Sequence, residues 1–152
     1  MRTITLLSAA ALTLGMAGCA QMERMWGGGG PPRKHVDKEC HKNDCAIQVM
    51  VVACTSTGVS LNYPTVGINK LERNVLIVWT INDPNYEFTR NGIVINGGGD
   101  IFTGGGVSSN NKVFTVNDAN PAYGEFKYTV NVKPKNSSTA CPGHDPTIIN
   151  GY

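Results

Sequence analysis

Asn74-Val75-Leu76-Ile77-Val78-Trp79-Thr80-Ile81-Asn82 decides the fold class of this chain. Val75, Ile77, Trp79 and Ile81 fall on one face of an extended segment, and Leu76 and Val78 fall on the other. Side chains alternate faces along a strand, and β-branched and aromatic residues suit a packed, pleated surface. Apolar residues on both faces predict a central strand, covered on both sides.

Working outward, Ala46-Ile47-Gln48-Val49-Met50-Val51-Val52-Ala53 reads as a well-buried strand. Val59 to Tyr63 and Thr65 to Ile68 read as short strands separated by Pro64. Downstream, Tyr86-Glu87-Phe88 and Ile93-Val94-Ile95 predict two short strands joined through Asn91-Gly92, a pair that tolerates positive φ in a turn. The glycine clusters 97–99 and 104–106 flank Ile101-Phe102 and predict turns around a hairpin. Val113 to Val116 is a further strand. In Gly124 to Lys133, Phe126, Tyr128, Val130 and Val132 alternate with Glu125, Lys127, Thr129 and Asn131. That alternation predicts a last strand with one face in the core and one in water. No window after the first residues shows a helical period, and no internal repeat is evident. About seven strands at this spacing predict an all-β fold, a single antiparallel or mixed Greek-key β-sandwich over residues 46–152.

The start of the chain has a different character. Met1-Arg2 carries one positive charge, and Ile4 to Gly18 are apolar or small with no acid and no further base, apart from polar Thr5, Ser8 and Thr13. A charged start, a short apolar stretch and small residues before a cut describe a secretory signal, here residues 1–18. The stretch is shorter than the roughly 20 residues that span a bilayer. Met16-Ala17-Gly18-Cys19 resembles the lipobox of bacterial lipoproteins, with Met standing where Leu is usual. The resemblance implies that Cys19 is lipidated and becomes the new N-terminus. Ala20 after it, rather than Asp, is similar to the pattern of outer-membrane lipoproteins. The expectation is a protein of the bacterial cell envelope, held to the outer membrane by lipid and facing the periplasm. Residues 19–45 then form a tether: Gly27 to Gly30 hold no regular element, Pro31-Pro32 extend the chain, and 36–44 carry charges of both signs.

Thirteen Lys and Arg against eleven Asp and Glu give a formal charge of +2, or +1 once Arg2 is removed with the signal. That is no electrostatic footprint for nucleic acid. Beyond Cys19 the cysteines are Cys40, Cys45, Cys54 and Cys141. An even number in an exported chain predicts two disulfides, with three pairings open. The short spacing of Cys40 and Cys45 suits a small loop ahead of the first strand.

The order of segments resembles a group of small exported cupredoxin-like proteins. The resemblance rests on Val75 to Ile81, Tyr86-Glu87-Phe88, Gly92 to Ile95, Gly124 to Val132 and Asp145-Pro146-Thr147-Ile148-Ile149-Asn150. It covers about residues 46–150 and implies a two-sheet Greek-key sandwich without an assigned activity. It further implies that the strand ending at Cys54 and the strand preceding Cys141 lie side by side and parallel. The resemblance therefore favours a Cys54–Cys141 bridge.

A blue-copper centre needs two His and a Cys thiolate, usually with an axial Met. Cys141-Pro142-Gly143-His144 supplies a Cys followed by a His, yet no His lies between His41 and His144 and no Met lies beyond Met50. His41, Cys141 and His144 are thus weak metal candidates, and Cys40-His41-Lys42-Asn43-Asp44-Cys45 with His35 could hold zinc or copper as a peptide. No cofactor is expected. The glycine clusters lack the Gly-Lys-Ser/Thr of a phosphate loop. Asp100 and Asp118 sit without the spaced acids that calcium requires. Ser108, Ser109, Ser137 and Ser138 lack a nucleophile elbow, and Trp79 belongs to the core. The expected role is a non-catalytic binding or structural domain, with the membrane and an envelope protein as partners. The alternative is a copper- or zinc-binding or redox module.

Overall fold

In the computed structural model the described residues are 34–152. Ten strands follow in order: β1 (Lys38–Cys40), β2 (Ala46–Val51), β3 (Val59–Leu61), β4 (Thr65–Ile68), β5 (Val75–Ile81), β6 (Tyr86–Ile95), β7 (Phe102–Val107), β8 (Val113–Asp118), β9 (Gly124–Pro134) and β10 (Thr147–Asn150). A single 3-10 turn, Gly99–Ile101, precedes β7. The strands form two five-stranded sheets, ordered β1-β4-β10-β9-β6 and β3-β2-β5-β8-β7. Both are mixed. β4 pairs in parallel with β1 and β10, β2 pairs in parallel with β5, and the remaining pairs are antiparallel. The fold is an all-β, two-layer sandwich.

The core lies between the sheets, where the alternating residues meet. Val75, Ile77, Trp79 and Ile81 of β5 are buried, as are Tyr128, Val130 and Val132 of β9. Trp79 packs edge-on against Tyr128, with ring centroids 5.4 Å apart, and against Phe114 at 6.2 Å. Its Nε1 donates to the Tyr128 hydroxyl at 3.2 Å. Two buried polar atoms satisfy each other there, where an unpaired one would cost about 1–3 kcal/mol.

Several expectations are corrected. β5 is central in its sheet, but only one face is covered: Leu76 is 46% exposed and Val78 half-buried. Asn91-Gly92 is not a hairpin turn. Tyr86–Ile95 is one strand paired with β9 at both ends, Tyr86–Phe88 and Ile93–Ile95, with an irregular bulge between Phe88 and Ile93. A Cβ at Gly92 would stand 2.9 Å from Phe88 and 3.0 Å from Phe114, so glycine lets the bulge pass over those rings. The second glycine cluster lies inside β7, and Gly104 takes φ +65° where the register with β8 shifts. The domain also starts earlier than Ala46: β1, within the charged segment 36–44, joins the first sheet beside β4. Finally β9 is not the last strand, since Thr147–Asn150 inserts between β4 and β9.

The two sheets differ in charge. The strands of the first contain Lys38, Glu39, Glu87, Arg90, Glu125, Lys127 and Lys133. Those of the second contain one charged residue, Asp118, which faces inward and is buried.

Candidate functional site

The signal and lipidation expectations, Cys19 included, lie outside the described residues. Within the domain, Cys40 and Cys45 sit at the two ends of a tight turn closed by reciprocal backbone hydrogen bonds between His41 and Asp44. Their sulfurs are at bonding distance, as are those of Cys54 and Cys141, whose Cα atoms are 4.7 Å apart. The second pair arises differently from the reason the resemblance supplied. β2 and β9 are not neighbours; they belong to opposite sheets. Cys54 follows β2, and the Cys141 amide donates to the Val132 carbonyl of β9. The bridge therefore ties one layer to the other.

These pairings bear on the metal candidates. Cys141 faces Cys54, so its sulfur is engaged. His41 turns its Nδ1 toward Glu72 at 3.3 Å, and His144 forms a β-bridge with Val130. The structure does not bring His41, Cys141 and His144 together. Among the described residues no group of three or more His, Cys, Asp or Glu converges as a metal centre would require. Two of the four serine candidates bond within their own loops: Ser108 Oγ donates to Asn110 Oδ1, and Ser137 Oγ accepts from the Thr139 amide.

One polar cluster is buried. Asp118, at the end of β8, is fully shielded. Its Oδ1 accepts from the Asn120 amide at 2.7 Å and from Asn150 Nδ2 at 2.9 Å, while its Oδ2 and Asn150 Oδ1 have no protein partner. No cation faces it among the described residues. Burial without a counter-charge raises its pKa to about 6, against the opposing effect of the two donors. Asn120 completes the knot from a left-handed conformation, φ 44°. Its Nδ2 donates to the carbonyls of Asn69 and Glu72, and its Oδ1 accepts from the Gly151 amide. Three separate segments are thereby pinned at one end of the sandwich. The cluster is hard to see in the letters because its members come from three segments, around Asn69, Asp118 and Asn150; only the Asp118-Ala119-Asn120 spacing, typical of an Asx turn, hints at it.

Between β6 and β7 the sandwich leaves a cleft of about 190 Å³, lined by Ile93, Ile95, Phe102, Phe114, Val116 and three glycines. Phe102 closes one side by packing edge-on against Phe126 at 5.0 Å. Small-molecule sites usually occupy about 300–1,000 Å³ and carry a few convergent polar groups. This cleft is smaller and has no titratable side chain in its lining, so it suits at most one apolar group.

The strands of the second sheet place no charged residue on their outer face. Register places Ala46, Val78 and Thr115 in one row and Gln48, Thr80 and Val113 in the next. Met50 and Leu76, 40% and 46% exposed, lie on the same face. On the opposite layer Lys133 pairs with Glu87 at 2.6 Å and holds that carboxyl below its ordinary pKa. The second sheet's outer face carries uncharged polar residues instead, among them Gln48, Thr80 and Thr115.

No family model matches the chain. No curated protein matches it either.

Proposed function

We propose that this chain is an envelope lipoprotein, anchored in a membrane through lipid on Cys19, whose sandwich is a non-catalytic binding or structural domain. One observation carries the reading. All four cysteines of the folded domain are at bonding distance in two pairs, which suits an oxidising compartment and leaves Cys19, in its lipobox-like setting, as the only other cysteine. Several acyl chains at that position would hold the protein firmly, since each buried CH₂ contributes about 0.8 kcal/mol. A cupredoxin-like sandwich draws support from the order of the segments, although β2 and β9 do not lie side by side.

The test labels cells expressing the full chain with an alkyne fatty acid, separates inner and outer membranes, and counts free thiols by alkylation mass spectrometry. The reading expects label in the outer-membrane fraction, its loss in Cys19→Ser, and protection of the other four cysteines. Label that survives Cys19→Ser, or four reactive thiols, would overturn it.

A further inference from the structure

One end of the sandwich exposes apolar side chains on two loops that the core does not use. Among the described residues three large apolar side chains are more than half exposed: Val52, Leu71 and Tyr123, at 86%, 83% and 66%. A lone apolar residue in water requires no explanation. Leu71 and Tyr123, however, are held together. Asn120, three positions before Tyr123, donates to the carbonyls of Asn69 and Glu72, which bracket Leu71, and accepts from the Gly151 amide. The two loops therefore stand side by side, and Pro121 and Ala122 next to Tyr123 are exposed too. Val52 lies at the opposite end, because β2 runs parallel to β5 and stops away from the knot around Asp118.

We infer that this end of the sandwich rests on a phospholipid bilayer, with Leu71 and Tyr123 entering the membrane–water interface. The course of the chain selects the partner. The described residues begin at Lys34, whose Nζ pairs with Glu125, and the other Glu125 oxygen accepts from the Tyr123 hydroxyl. The segment that leads back to Cys19 therefore joins the domain beside Tyr123. Cys19 and Lys34 are fifteen positions apart, a span of at most about 50 Å. Lipid on Cys19, the anchor proposed above and the premise of this contact, keeps a bilayer within reach of this end. The chemistry agrees. Tyrosine suits an interface where its ring meets apolar matter and its hydroxyl stays wet. Charges of both signs surround the two loops, Lys70 and Arg73 beside Glu72, and Lys34 beside Glu125. Apolar contact rather than net charge thus supplies the attraction, and a bilayer of no net charge suffices. Two side chains hold a membrane only weakly on their own. A short tether raises the local concentration to the millimolar range, where weak docking is populated.

Photo-cross-linking of the full chain in cells, alongside the alkyne fatty acid label, tests this contact. A benzoylphenylalanine replaces Leu71 or Tyr123 or, as a control at the opposite end, Val52. Mass spectrometry of the adducts finds phospholipid joined at Leu71 and at Tyr123 and not at Val52. Leu71→Asp lowers the lipid yield at Tyr123 about fivefold or more, because it removes one of the two apolar side chains and adds a charge. Leu71→Ser serves if Leu71→Asp leaves the four paired cysteines open to alkylation. Contact with the bilayer is refuted if the fatty acid label is present yet Leu71 and Tyr123 match Val52, join a protein in place of lipid, or ignore the folded variants. A chain that takes up no label overturns the anchor, and this contact with it.

Discussion

Asp118→Asn should stabilise the protein at neutral pH and remove a pH dependence that the wild type carries. The carboxyl is fully buried, has two donors on one oxygen and no partner on the other, and its pKa rises from 3.8 to about 6. The folded state therefore binds the proton more tightly than the unfolded chain. Stability from this group is full below pH ~4, falls as pH climbs through the window from ~4 to ~6, and levels off above it. A shift of roughly two units, at about 1.4 kcal/mol per unit, makes the ionised group cost on the order of 3 kcal/mol at pH 7. Asparagine keeps the accepting oxygen and puts a neutral amide where the charge was. The assay is urea denaturation followed by Trp79 fluorescence at pH steps from 4 to 7.5, with the disulfides intact. Surface carboxyls such as Glu87 and Glu125, held low by Lys133 and by Lys34 and Tyr123, pull the other way but titrate alike in both proteins. The difference between variant and wild type isolates Asp118: about 3 kcal/mol at pH 7, shrinking toward zero near pH 4. A difference that stays constant across this range would refute the argument.

Two further outcomes follow from the core and the bridges. Replacing Cys54 and Cys141 together by serine should lower stability by nominally about 4–5 kcal/mol in the chain-entropy account, often less, because the closed loop is long. Replacing Cys40 and Cys45, only five residues apart, should cost about 2 kcal/mol by the same reasoning; calorimetry of the two double variants gives the ranking. Tyr128→Phe leaves the Trp79 indole N–H buried without its acceptor and should cost about 1–3 kcal/mol in urea denaturation.

The sequence reading recovered what local alternation encodes. β5 and β9 show their inward residues directly, because each strand buries one face and a two-residue period survives in the letters. What it lost depends on partners distant in sequence. Lys38–Cys40 looks like a solvated charged run, and its membership of a sheet comes from β4 alone. Asn91-Gly92 has the letters of a turn, but pairing with β9 resumes on the far side of it, so the pair lies in a bulge of one strand and glycine serves clearance over Phe88 instead. Leu76 and Val78 misled in the opposite direction: apolar letters promised cover that a single chain does not provide. The asparagine knot around Asp118 is invisible locally, since its members meet only when three loops converge.

The position of β10 governs the order of assembly. Thr147–Asn150 is the wedge between the β1-β4 pair and β9. A chain threaded out N-terminus first would hold that early pair unattached until almost everything else had emerged. Closure of the first layer is thus a late, non-local event of the kind that slows folding and lengthens exposure of sticky edges. A stop codon ahead of Thr147 would sever a sheet rather than trim a tail.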